Sequence, residues 1–62
     1  LSDRQLEVMR LLYEGKSDSE IADKLFISLN TVNNHRKNSF RKVGVHSFPE
    51  FMRYAMQNNL FK

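Results

Sequence analysis

The chain has 62 residues and a net charge of +3, enough for a single domain near the lower limit for a core that folds unaided. It has no cysteine, which excludes a disulfide framework and a thiolate metal site, and His35 and His46 are too isolated for a zinc site, so no cofactor is expected. No apolar run approaches the ~20 residues that span a bilayer, and LSDRQLEV mixes charged with apolar residues, unlike a secretory signal.

Helix signals then follow one another along the chain. Ser2-x-x-Gln5 reads as a capping box, in which the serine oxygen takes an orphan N–H and the glutamine side chain reaches back. Leu1, Leu6, Val8, Met9, Leu11 and Leu12 supply an apolar stripe at helical spacing, and Gly15 sits where a left-handed residue ends the helix. The first helix is expected over 3–14. Ser17-x-x-Glu20 is a second capping box, with Ile21, Ala22 and Leu25 as the apolar face of a helix over 18–25.

Ser28 caps a third helix over 29–43, stopped by Gly44. Ser47-x-x-Glu50 is read as another capping box, with Pro49 tolerated in the first turn of a helix over 48–58. Phe48, Phe51, Met52 and Ala55 line its core face. No strand alternation, repeat or low-complexity tract interrupts the pattern. The fold class is all-α, four helices with a helix-turn-helix at the centre.

Charge is spread unevenly over these elements. Leu1–Asp23 carries six acids against three bases, whereas Lys24–Pro49 carries five bases and no acid. An acid-free stretch of this kind points to a polyanion, nucleic acid above all, or to a solvated basic face without a partner. On a helical wheel of about 100° per residue, Val32, His35, Ser39 and Val43 share one side of the third helix, flanked by Leu29 and Phe40. Asn30, Asn33, Asn34, Lys37 and Arg41 share another, made of amides and cations alone.

Only Phe26-Ile27-Ser28 separates the second and third helices, a turn short enough to set them at a steep angle. Such a crossing needs a small residue, Ala22, and apolar filling from Ile21, Leu25, Ile27 and Val32. Phe26 stands where glycine is common, so the turn is expected to manage without a left-handed residue. Asparagine can pair with adenine through both ends of its amide, and lysine reaches guanine O6 and N7, so Asn33, Asn34 and Lys37 are the candidate base contacts. Ser17, Ser28 and Thr31 offer hydroxyl and N–H groups to phosphates from helix starts. Lys24, Arg36, Arg41 and Lys42 are candidates for the salt-dependent, sequence-blind part of the affinity. His35 is expected to pack on the buried edge, and the stem of Arg36 to lie across the core margin.

Taken together, Leu1-Ser2-x-Arg4 with Glu7-Val8, Gly15-x-Ser17-x-x-Glu20-Ile21-Ala22, Ile27-Ser28-x-x-Thr31-Val32, His35, Asn38, Lys42 and Gly44-Val45 resemble the LuxR/GerE-type DNA-binding domain, the output module of NarL/FixJ-like response regulators and quorum-sensing regulators. The resemblance covers essentially the whole chain. It implies a cytoplasmic bacterial transcription regulator, nucleoid-associated when bound, of which residues 1–62 are a C-terminal fragment. By the resemblance, Asn33, Asn34 and Lys37 read bases of double-stranded DNA, and Thr31 and Lys42 touch phosphates. The fourth helix makes a homodimer contact on two half-sites through Arg53, Tyr54 and Gln57. RNA polymerase is a further partner in such systems; no membrane or small-molecule ligand is implied. Asn33 departs from the lysine or arginine usual at its position, and Ser39 from a core aliphatic residue.

Two alternatives stay open. One is a small basic helical module that binds an acidic protein. The other is a promoter-reading domain like that of sigma factors, against which the fourth helix and Leu60-Phe61 argue. Enzyme function is not expected, because the outer arc of the third helix has no carboxylate and no nucleophile has a base nearby.

Overall fold

The computed structural model describes residues 1–61. Four helices follow in order: α1 (Asp3–Tyr13), α2 (Asp18–Leu25), α3 (Leu29–Val43) and α4 (Phe48–Gln57). The second and third match the expected bounds, and α1 and α4 each stop one residue early, at cap residues Glu14 and Asn58.

Every helix starts on a serine. Ser2, Ser17, Ser28 and Ser47 accept the backbone N–H three residues on, which satisfies one orphan donor per helix. Ser2 and Ser17 form reciprocal boxes with Gln5 and Glu20. The box expected at Ser47 does not close: Glu50 Oε1 accepts from the backbone N–H of His46 at 2.8 Å instead. Ser47 has φ −152°, against −74° to −77° at the other three caps. That rotation turns its own N–H out of reach, and Glu50 takes the donor one residue earlier.

Every helix also ends on a left-handed residue. Gly15, Phe26, Gly44 and Asn59 have φ of 92°, 57°, 82° and 50°. The next N–H bonds back over the final turn in each case: Lys16 to Leu11 O, Ile27 to Ala22 O, Val45 to Phe40 O and Leu60 to Ala55 O. This is the hydrogen-bonding of a Schellman stop. Phe26 corrects the expectation for the turn, which does use a left-handed residue although no glycine is there. The sharp reversal needs that backbone state to satisfy the α2 carbonyls, and the phenylalanine is forced into it with 93% of its surface exposed.

The core lies where α1, α2 and α3 meet and is closed by α4. Val8, Met9, Leu11 and Leu12 come from α1, Ile21 and Ala22 from α2, and Val32 from α3. Val45, Phe51 and Ala55 complete it. Ala22 is buried at the crossing with α3, as a close approach requires. Phe51 is fully buried and stacks on Phe40, with ring centroids 5.4 Å apart. Ser39, fully buried where an aliphatic residue is usual, donates its hydroxyl to His35 O at 2.6 Å and so carries no unmet polar group inward. Phe48, read as core, is corrected to an exposed position, and Leu1 of the apolar stripe is exposed as well. Phe48 opens α4 at the edge of the core, its ring tilted against that of Phe51 with centroids 6.2 Å apart. After α4 the chain returns to α1, where Phe61 meets the Tyr13 ring at 5.5 Å and lies under the Arg10 guanidinium.

Candidate nucleic-acid interface

The crossing of α2 and α3 leaves one side of α3 in water from end to end. Asn30, Asn34, Lys37, Asn38, Arg41 and Lys42 are exposed there, while Val32 and Ser39 on the opposite side are fully buried. Exposure follows the wheel except at Asn33, half-buried on the outer arc, and at Leu29, exposed although placed on the flank of the core side, and the face carries no carboxylate. The first turn of α3 holds no acid either, whereas α1, α2 and α4 begin with Asp3, with Asp18 and Glu20, and with Glu50. The positive end of the α3 dipole is therefore left without an internal counter-charge and faces whatever anion approaches.

The residues expected to meet bases are not equivalent. Asn34 and Lys37 project freely into solvent. Asn33 is half-buried, and its Oδ1 accepts from Arg36 Nη2 at 2.8 Å. Asn30, on the same exposed arc one turn before Asn34, is also open to solvent. The wheel places it on that arc, although it is not among the candidate base contacts.

The phosphate candidates divide similarly. Arg41 and Lys42 are exposed on the last turns of α3, where Arg41 borders shallow grooves with Lys37 and His46 on one side and with Gln5 and Asn38 on the other. Lys24 is exposed at the end of α2. Arg36 is otherwise engaged: Nη1 donates to Asp18 Oδ1 and Oδ2 at 3.0 and 2.9 Å. Its side chain is 33% exposed and that of Asp18 25%. Ser17 and Ser28 are occupied as caps, and Thr31, half-buried, shares its hydroxyl with Ser28 Oγ at 2.8 Å. The backbone N–H of Ser17 is taken by Glu20 Oε1 at 2.8 Å. That bond, the Ser17 hydroxyl and the charge on Lys16 hold the Glu20 carboxyl below the usual glutamate range.

His35 is half-buried on the margin of the core, and the hydrogen bond at this position is made by its backbone carbonyl. On α4, Arg53 and Gln57 are exposed and Tyr54 is half-buried against the core. Among the described residues no cluster of acids and histidines is arranged to hold a metal ion, and no helix is long and apolar enough to cross a membrane.

Residues 1–55 match the GerE family, the bacterial regulatory proteins of the luxR family. The chain belongs to that family. It is a DNA-binding transcription-regulator domain, all-helical as the family resemblance implied, and the family is not an enzyme class. Similar curated proteins include the oxygen regulatory protein NreC of Staphylococcus aureus strains JH9, JH1 and Mu3, each 40% identical over 62 residues, 100% of this chain. The chain spans 29% of the length of these relatives.

Proposed function

We propose that this luxR-family domain binds double-stranded DNA sequence-specifically, with the first half of α3 in the major groove. Asn34 and Lys37 are its main base contacts and Asn33 a third. Thr31, Arg41 and Lys42, with the starts of α2 and α3 at Ser17 and Ser28, contact phosphates. Arg36 joins them only at the cost of its bond to Asp18. The observation that carries this reading is the composition of the exposed α3 face: amides beside cations, without an acid, at a helix start lacking an internal counter-charge. A purely electrostatic surface has no need of amides, which lower helix propensity when exposed but pair specifically with base edges.

Two copies are expected to bind two half-sites through the α4 residues Arg53, Tyr54 and Gln57, because a single module buries little area on DNA. The greater length of its relatives is in keeping with a domain of a longer regulator; a cytoplasmic place at its output end and action on RNA polymerase are expected from the family resemblance alone.

The test is selection from random genomic duplexes, comparing the chain with Lys37→Ala and Asn34→Ala across a salt series. Enrichment of a two-fold symmetric sequence, lost in both variants while circular dichroism stays helical, supports the reading. Weak, sequence-blind binding that neither variant changes would leave a basic face only, and a protein partner becomes the better search.

A further inference from the structure

Arg36 occupies an unusual place for a cation on a DNA-facing helix. It is half-buried, held by an acid on the neighbouring helix, and also bonded to one of the candidate base-reading residues. The guanidinium has donors and no acceptor. The end of the Asn33 amide that it touches at 2.8 Å must therefore be the carbonyl oxygen. The orientation of this amide, ambiguous for an isolated asparagine, is fixed here by the chemistry of its partner. Asp18, taking Nη1 through both oxygens, holds the guanidinium in turn. The chain of contacts runs Asp18, Arg36, Asn33, with each acceptor facing a donor.

We propose that Arg36 is a positioning residue for recognition: tethered to Asp18, it holds the Asn33 oxygen toward its own guanidinium so that Asn33 meets DNA chiefly through the donors of its NH2 group. Paired adenine recognition by asparagine requires both ends of the amide, the oxygen accepting from N6 and the nitrogen donating to N7. In this arrangement one of the two lone pairs of the Asn33 oxygen is taken and the amide is turned toward Arg36, which works against the side-by-side geometry that adenine requires. Asn33 matches an edge that only accepts, guanine O6 and N7 or thymine O4. Asn34, exposed one residue on, is free to use both ends. Two adjacent asparagines thus read differently, one as a donor and one as a donor–acceptor pair. This inference rests on the proposal that α3 enters the major groove.

The experiment is selection from a randomised duplex library by the chain and by Asn33→Ala, Arg36→Met and Asp18→Ala. Asn33→Ala is expected to erase the preference at one base position per half-site, a position where the parent chain selects guanine or thymine. At that position Arg36→Met and Asp18→Ala are expected to shift selection toward adenine by about tenfold, the ratio carried by one base contact. A merely structural role for Arg36 would lower affinity for all sequences without moving this preference, and that result overturns the proposal. Selection of adenine by the parent chain at the Asn33-dependent position overturns it as well, and needs no Arg36 variant to fold. If Asn33→Ala weakens every sequence alike, Asn33 touches a phosphate and the base assignment fails. Absence of any sequence selection by the parent chain overturns the major-groove reading itself, a different result from a wrong base at one position.

Discussion

Arg36 of α3 and Asp18 of α2 are joined across 18 residues by two hydrogen bonds of 3.0 and 2.9 Å from a single guanidinium nitrogen. The contact ties α3 to the first turn of its neighbour at the angle that the short turn sets. It also removes one positive charge from the exposed face, leaving Lys24, Lys37, Arg41 and Lys42 as the exposed cations of the acid-free segment. A pair with a quarter to a third of its surface in water is screened, so its coupling should be modest, about 0.5–1 kcal/mol. A double-mutant cycle of Asp18→Ala and Arg36→Met, followed by urea unfolding, measures it. Coupling indistinguishable from zero would show that the crossing angle is held by Ala22 and the apolar residues alone.

Phe26 and Gly44 share a backbone state but differ in what it costs them. A side chain in the left-handed region carries about 1–2 kcal/mol of strain, against which glycine loses about 0.5–1 kcal/mol through the greater freedom of its unfolded chain. Phe26, at φ 57° and 93% exposed, has little burial to lose. Phe26→Gly is therefore expected to stabilise the domain by about 0.5–1 kcal/mol. Gly44→Ala, where an added Cβ meets nothing within 4 Å, should cost about 1 kcal/mol through conformation alone. Thermal unfolding of the two variants should move in opposite directions. Destabilisation by Phe26→Gly would reveal packing by the exposed ring.

Glu20 gives the start of α2 a pH dependence of known sign. Its carboxyl is held below the usual glutamate range by the Ser17 N–H, then by the Ser17 hydroxyl and Lys16. A lowered folded-state pKa stabilises the native state fully above the unfolded value, about 4.3, and that stabilisation is lost as pH falls through the folded value. Glu20→Gln keeps an acceptor for the Ser17 N–H, as Gln5 does for Ser2, and removes the titration. The advantage of the parent chain over this variant should be constant above about pH 5 and shrink below about pH 4. Parallel melting-temperature curves from pH 7 to pH 3 would contradict the assignment.

Ser39 tests whether a buried hydroxyl contributes to stability here. It is fully buried and bonds back to His35 O within its own helix. Ser39→Ala removes a satisfied donor together with its hydroxyl and improves helix propensity, so the change should lie within about 0.5 kcal/mol of neutral. Ser39→Ile, which restores the usual aliphatic type, adds volume at a fully buried position and should cost about 1–3 kcal/mol by overpacking. Denaturant midpoints decide both.

What could be read in advance follows from the range of each interaction. The serine caps and the stops at Gly15 and Gly44 depend on contacts three to five residues apart, and the residue types declare them. Burial of Val8, Ile21, Val32 and Phe51 follows from periodicity. Phe26 was missed because its conformation is imposed by the closure of the turn, with no glycine to signal it. Glu50 was misassigned because a cap motif does not encode the φ of Ser47, which decided the outcome. On α3 the wheel identified the exposed arc apart from Asn33. It could not show that Asn33 is restrained, because the restraint arrives through Asp18 from another helix. The spacing of Asn33 and Arg36, three apart on one helix, was the one local sign available.

Lys42 and Lys37 should separate the two components of DNA binding. Lys42 is exposed on the last turn of α3, away from the first half of the helix, and is proposed to touch a phosphate. Lys42→Ala is then expected to weaken binding about equally for all sequences and to reduce the slope of log affinity against log salt by about one. Lys37, on the exposed arc one turn beyond Asn33 and Asn34, is proposed to read a base. Lys37→Ala should flatten preference at one position per half-site, with a loss of roughly 1–3 kcal/mol confined to the preferred sequence. Titrations of preferred and scrambled duplexes at several salt concentrations distinguish the two patterns. If both variants lose affinity uniformly, Lys37 is a phosphate contact and specificity lies with the asparagines. If Lys42→Ala leaves the salt slope unchanged, the end of α3 points away from the duplex, and the groove-entry geometry must be revised.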